Sequence, residues 1–179
     1  MGGYFTSVRL RIFFVVDIGI ACNLVGMGLS EILKLDIKDK NVLIIGCPAS
    51  GKTWLCGQLD CNGHRVIHTD KYVVSGYEMG MYAALNDAVG SEKPTIVEGV
   101  HGYRMLRKGA EYGSYYPDIV IEMKVSEQRM LSTYRNERNH NKIKYLQQFN
   151  ATHEKILNDY KKMIPDRLKP QWVVFENNY

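Results

Sequence analysis

Short apolar runs rich in β-branched residues recur along the chain, and charged or polar stretches of helical spacing separate them. The first such run is Asn41-Val42-Leu43-Ile44-Ile45-Gly46, whose unbroken apolar character predicts a strand buried on both faces. Three more follow at Arg65-Val66-Ile67-His68, Thr95-Ile96-Val97-Glu98 and Asp118-Ile119-Val120-Ile121-Glu122-Met123, and Trp172-Val173-Val174-Phe175 is the last. Between them lie helical patterns. Thr53 to Leu59 is one, and Tyr77 to Val89 sets Met81, Leu85 and Ala88 on one face. Ser126 is placed to cap a helix whose apolar side holds Met130, Leu131 and Tyr134. From Lys142 to Met163 a stripe of Tyr145, Leu146, Phe149, Ile156, Leu157 and Tyr160 persists until Pro165 stops it. Strands alternating with helices require crossover connections, so the pattern predicts an α/β fold with a parallel sheet between helical layers, a three-layer sandwich.

The stretch before the first run is different. Leu10 to Leu29 is mostly apolar and follows Arg9, the outline of a leader or a membrane span, but Asp17 and Asn23 interrupt it. A charge near the middle of a single span costs a few kcal/mol, so a packed N-terminal strand or helix, or a true start at Met27, is the expectation. This divides the chain into an apolar N-terminal extension, residues 1–40, and one domain, residues 41–179.

With 45% apolar and 23% charged residues in 179, the chain can bury a core, which excludes disorder and repeat arrays. Its net charge of +4 suits anionic ligands, yet no basic stripe interleaves with aromatics, so no nucleic acid is expected as a partner. Four cysteines are too few for a disulfide framework of this size, which points to a reducing, cytoplasmic setting. Cys56, Cys61, His64 and His68 are close in sequence, but they lack the paired CxxC spacing of a zinc site.

The chemistry starts where the first strand ends. Gly46-Cys47-Pro48-Ala49-Ser50-Gly51-Lys52-Thr53 fits GxxxxGK[ST], between a buried strand and a helix, the context that gives this pattern its meaning. Glycines let the backbone approach a phosphate closely, so that successive N–H groups wrap it at a helix start. Lys52 then brings a positive charge to the β- and γ-phosphates, and the Thr53 hydroxyl is a ligand for Mg²⁺.

In open α/β sheets ligands bind beyond the C-terminal strand ends, which gives two acids significance. Asp70 follows the second run and can orient an attacking hydroxyl or accept its proton. The plainer alternative is a cap on the next turn. Glu98 closes the third run, where it can order the water shell of Mg²⁺ or bind substrate. An ordinary pairing with Arg104 or Arg107 is the alternative. Phosphoryl transfer also needs cations on the far side of the transferred group. Arg135 and Arg138 lie three apart on one predicted helix, two turns beyond Arg129, where a lid would sit. A solvated basic face paired with Glu127 and Glu137 competes with that reading. Tyr112, Tyr115 and Tyr116 form a cluster able to stack a base or to pack on the core, and Asn177 and Asn178 follow the last strand near the expected adenine position.

The strings GCPASGKT, HTDKY, TIVEG and YRNER, in that order within residues 41–176, resemble the P-loop kinases of nucleotides, nucleosides and other small metabolites. The resemblance implies a five-stranded parallel sheet in the order 2-3-1-4-5, ATP as phosphoryl donor with Mg²⁺, the acceptor hydroxyl near Asp70, and arginines in a lid. It leaves the acceptor open, because no paired acids accompany Asp70 and no monophosphate signature is present. Val100 to Pro117 matches no motif. Three rivals stand beside a small-molecule kinase. A GTPase would need NKxD, whereas Asn141-Lys142-Ile143-Lys144 lacks the aspartate. A polynucleotide 5′-hydroxyl kinase would need a basic channel, and a regulatory protein could keep nucleotide binding without transfer.

Overall fold

The computed structural model describes residues 23–126 and 140–177. Every apolar run becomes a strand of one parallel sheet. In chain order the elements are β1 (Asn23–Met27), α1 (Leu29–Ile32), β2 (Val42–Gly46), α2 (Lys52–Gln58), β3 (Arg65–His68), a 3-10 turn at Thr69–Ser75, and α3 (Tyr77–Val89). They continue with β4 (Thr95–Glu98), α4 (Gly102–Glu111), β5 (Ile119–Lys124), α5 (His140–Met163), a second 3-10 turn at Asp166–Leu168, and β6 (Gln171–Glu176).

The sheet order is β1-β6-β5-β2-β4-β3, with every pairing parallel. Counted from β2, the last five strands give 2-3-1-4-5, the topology expected. A sixth strand joins them: Asn23–Met27, from the N-terminal extension, runs alongside β6 at the sheet edge. Residues 29–37 of the same extension also enter the core, where Ile32 and Ile37 are buried. Among the described residues no helix is long and apolar enough to cross a membrane.

Side-chain alternation splits each central strand between two layers. Leu43 and Ile45 of β2 and Val120 of β5 face a core made with Met81, Ala84 and Leu85 of α3, Met105 and Leu106 of α4, and Phe149, Ile156 and Tyr160 of α5. Val42, Ile44, Ile119, Ile121 and Met123 face the other way, onto Ile32 of α1 and Leu55 and Cys56 of α2. Two apolar faces explain why these strands carry no polar alternation, and they make the three-layer sandwich.

Helix α4 arises in the stretch that carried no motif. Its apolar Tyr103, Met105 and Leu106 point inward, and Arg107 and Lys108 pair outward with Glu111. Because all strands run the same way, their C-terminal ends share one edge. The Gly46–Thr53 loop, the Thr69–Ser75 turn, the Gly99–His101 connection and Asn177 all lie along it.

Candidate phosphate-binding site

The loop after β2 is held tightly against its neighbours. A Cβ on Gly46 would lie 2.7 Å from the Met123 backbone oxygen of β5, closer than any side chain tolerates. Gly51 has φ of 91°, in the left-handed region, and a Cβ there would meet Asn177 Nδ2 at 2.8 Å. That turn starts α2 at Lys52, so the first N–H groups of the helix, which have no intrahelical acceptor, lie next to the loop. Ser50 Oγ is buried there with no hydrogen-bond partner among the described residues.

Lys52 curls back over the loop. Its Nζ donates to the carbonyl oxygens of Gly46 at 3.1 Å and Cys47 at 2.8 Å, and the residue is only 8% exposed. Burial lowers the pKa of the ammonium, opposed by Cys47, Glu98 and Asp70, which favour its charge. Burial also raises the Cys47 thiol, which Lys52 partly offsets. A lysine held by weakly competing carbonyls is poised to turn its charge to an incoming anion.

Glu98, at the end of β4, is 2% exposed. Thr53 Oγ1 lies 3.2 Å from its Oε1 and 3.1 Å from its Oε2, and His68 Nδ1 lies 2.7 Å from Oε1. The alternative pairing with Arg104 or Arg107 is not adopted. Arg104 sits over the Tyr77 ring at 4.7 Å, and Arg107 pairs with Glu111. The Thr53 hydroxyl and the Glu98 carboxylate form a hard-oxygen pair of the kind that suits Mg²⁺, which takes few protein ligands and completes its shell with water and phosphate. Among the described residues no group of three or more His, Cys, Asp or Glu gathers to cage a metal, so Cys56, Cys61, His64 and His68 do not converge. His64 Nε2 instead lies 3.0 Å from the Ile37 carbonyl.

Asp70 lies in the turn after β3 and is exposed. Its Oδ1 accepts the Val100 N–H at 2.8 Å, a bond that joins the β3 and β4 ends, and Oδ2 makes none among the described residues. Beside it the His101 ring is fully buried, edge-on to Tyr77 at 4.6 Å, and neither ring nitrogen has a hydrogen-bond partner among the described residues. Burial lowers its pKa, and the nearby Asp70 raises it again in part. Arg135 and Arg138, with Arg129, fall outside the described residues, as does Asn178.

The structure also places Asn177 and the tyrosine cluster. Asn177 turns its Nδ2 to the Ser50 carbonyl at 2.9 Å and is buried against the loop. At the opposite edge of the sheet, in the connection leading into β5, Tyr115 packs in the core, one of the two readings the sequence allowed, whereas Tyr112 is exposed and stacks obliquely with Tyr82. A cavity of about 490 Å³ opens between β5 and α5, from Cys47 past Lys124 to His153 and Lys161. Sequence reasoning missed His68 as a partner of Glu98. The signal was its position at the end of β3, opposite Glu98 across the ladder.

No family model and no curated protein matches the chain. Among solved structures it is similar to shikimate kinase from Bacteroides thetaiotaomicron, at 14% identity, a TM-score of 0.42, and coverage of 75% of this chain and 85% of that one. At that level the likeness carries no functional weight.

Proposed function

We propose that the protein is an ATP-dependent phosphotransferase that moves the γ-phosphoryl group to a small hydroxyl- or phosphate-bearing acceptor. One observation carries this reading: the phosphate loop holds Lys52 folded inward while Thr53 and Glu98 pair beside it and Asp70 lies two strands away on the same edge. A regulatory nucleotide binder would need only the loop. The paired oxygens and the further carboxylate are what transfer chemistry adds.

In this reading the loop N–H groups and Lys52 bind the β- and γ-phosphates. Thr53 and Glu98 would hold Mg²⁺, which supplies charge neutralisation at the phosphates when bound. The acceptor hydroxyl approaches from the side of Asp70, whose Oδ2 takes its proton as the new P–O bond forms. The bond from the γ-phosphorus to the bridging oxygen breaks, and ADP departs. Arg135 and Arg138 are proposed as the cations that cover the transferred group. A cytoplasmic setting, a small-molecule partner and no nucleic-acid or membrane partner belong to the same proposal.

The test is ATP consumption by the purified chain against nucleosides, nucleoside monophosphates, sugars, small alcohols and 5′-hydroxyl oligonucleotides. Lys52→Ala should lower turnover by about 10²–10³-fold or more, together with triphosphate affinity. Asp70→Asn should retain ATP binding but lose about 10²–10⁴-fold in kcat. Full activity in Lys52→Ala would sink the mechanism. ATP binding with no acceptor consumed by the wild type would favour the regulatory alternative.

A further inference from the structure

The buried carboxylate of Glu98 has two hydrogen-bonding partners among the described residues, and they differ in kind. Thr53 is itself the loop hydroxyl assigned to the metal, and it is shared between both carboxylate oxygens at 3.2 and 3.1 Å. His68 is bound to Oε1 alone, at the shorter distance of 2.7 Å. The contact is built into the sheet, since His68 and Glu98 are register partners in the β3–β4 ladder. A glutamate side chain has three rotatable bonds, and Thr53 alone leaves it free to pivot about that hydroxyl. A second partner fixed on Oε1, the His68 ring, removes the pivot. Lys52 contributes a favourable charge but makes its hydrogen bonds to carbonyls.

We propose that His68 is a positioning residue that holds Glu98 Oε1 through its Nδ1–H, leaving Oε2 to face Thr53 and a divalent cation on the phosphate loop. The inference rests on the phosphotransferase reading for the cation, though not on any acceptor. Two features make the role separable from bulk packing. The role needs a donor at the δ position of a rigid planar group, which the asparagine amide also supplies and an apolar side chain does not. The His68 side chain is 31% exposed, so replacing it opens no deep cavity.

The full chain serves for the test, as wild type, His68→Leu and His68→Asn, with Mn²⁺ as the probe ion and a non-hydrolysable ATP analogue. Electron paramagnetic resonance of free Mn²⁺ reads metal affinity in the ternary complex, and calorimetry in chelator reads metal-free nucleotide affinity. Outer partners of metal ligands typically contribute 10–100-fold in affinity. His68→Leu should therefore lose about tenfold in Mn²⁺ affinity with metal-free nucleotide binding unchanged, while His68→Asn stays within about threefold of wild type. His68→Ala supplies the donor-free comparison if the leucine variant does not fold.

The inference is overturned if the donor-free variant binds Mn²⁺ as tightly as wild type. It is overturned equally if His68→Asn falls with His68→Leu, since bulk packing would then be the cause. A matching loss of metal-free nucleotide affinity also sinks it. Should wild type bind no nucleotide at all, the phosphotransferase reading fails first and carries this inference with it. Wild type that binds nucleotide beside an unaffected His68→Leu leaves the reading standing and removes only His68.

Discussion

Single residues divide into those proposed to touch phosphate and those that hold them in place. Gly46 belongs to both groups. The Met123 oxygen that a Cβ would meet is backbone, so Gly46→Ala must displace β5 or the loop. The expected cost is about 1–3 kcal/mol in stability with loss of nucleotide binding, checked by denaturation and calorimetry. His153 gives a different prediction. Burial lowers its pKa to about 4, opposed by its hydrogen bond to the Phe149 carbonyl and assisted by the charges of Arg104 and Lys52. In the unfolded chain a histidine titrates near pH 6.5, so between about 4 and 6.5 the unfolded state binds more protons. This contribution is fully present above 6.5 and is lost as pH falls toward 4, of the order of 3 kcal/mol in all. His153→Gln should flatten that part of the stability profile, read from urea midpoints across the window. The candidate positions legible in the sequence were those in contiguous strings at strand ends: the Gly46–Thr53 loop, Asp70 after its strand, Glu98 at the end of its own. The contacts that His68 and Asn177 make were not, because their partners lie 30 and 127 positions away and only the sheet brings them together.

At the scale of elements, five strands and the three helices at Lys52–Gln58, Tyr77–Val89 and His140–Met163 follow from apolar runs and spacing, with boundaries shifted by a residue or two. Helix α4 was not legible, since Gly102 and Gly109 dilute its pattern and only Tyr103, Met105 and Leu106 reveal an inward face. The N-terminal extension is the larger lesson. An apolar stretch is ambiguous between a span and an edge strand, and the pairing of β1 with β6 decides this for residues 23–27 alone. Removing residues 1–28 would strip β6 of a parallel partner and leave its backbone groups open along a sheet edge. The shortened chain should unfold at lower denaturant and associate as its concentration rises, which size-exclusion chromatography would detect. A monomer of unchanged midpoint would mean that β1 contributes little.

For the molecule as a whole, a candidate site spread over the ends of β2, β3, β4 and β6 would tie ligand binding to global stability. A ligand that binds only the folded state at a hundredfold above its Kd stabilises by about 2.7 kcal/mol. For a chain of this size each kcal/mol raises Tm by roughly 2–4 °C. Saturating ATP with Mg²⁺ should therefore raise the melting temperature by about 5–10 °C, and Lys52→Ala should show no shift. The hydrogen bond from Asn177 to Ser50 extends that coupling to the order of synthesis. It spans 127 residues, and β6 must dock before it can form. A chain emerging from the ribosome would display the whole GCPASGKT string long before β6 exists, with the loop still unbraced. Any affinity that depends on the braced loop would then arise only once β6 has been made and has docked.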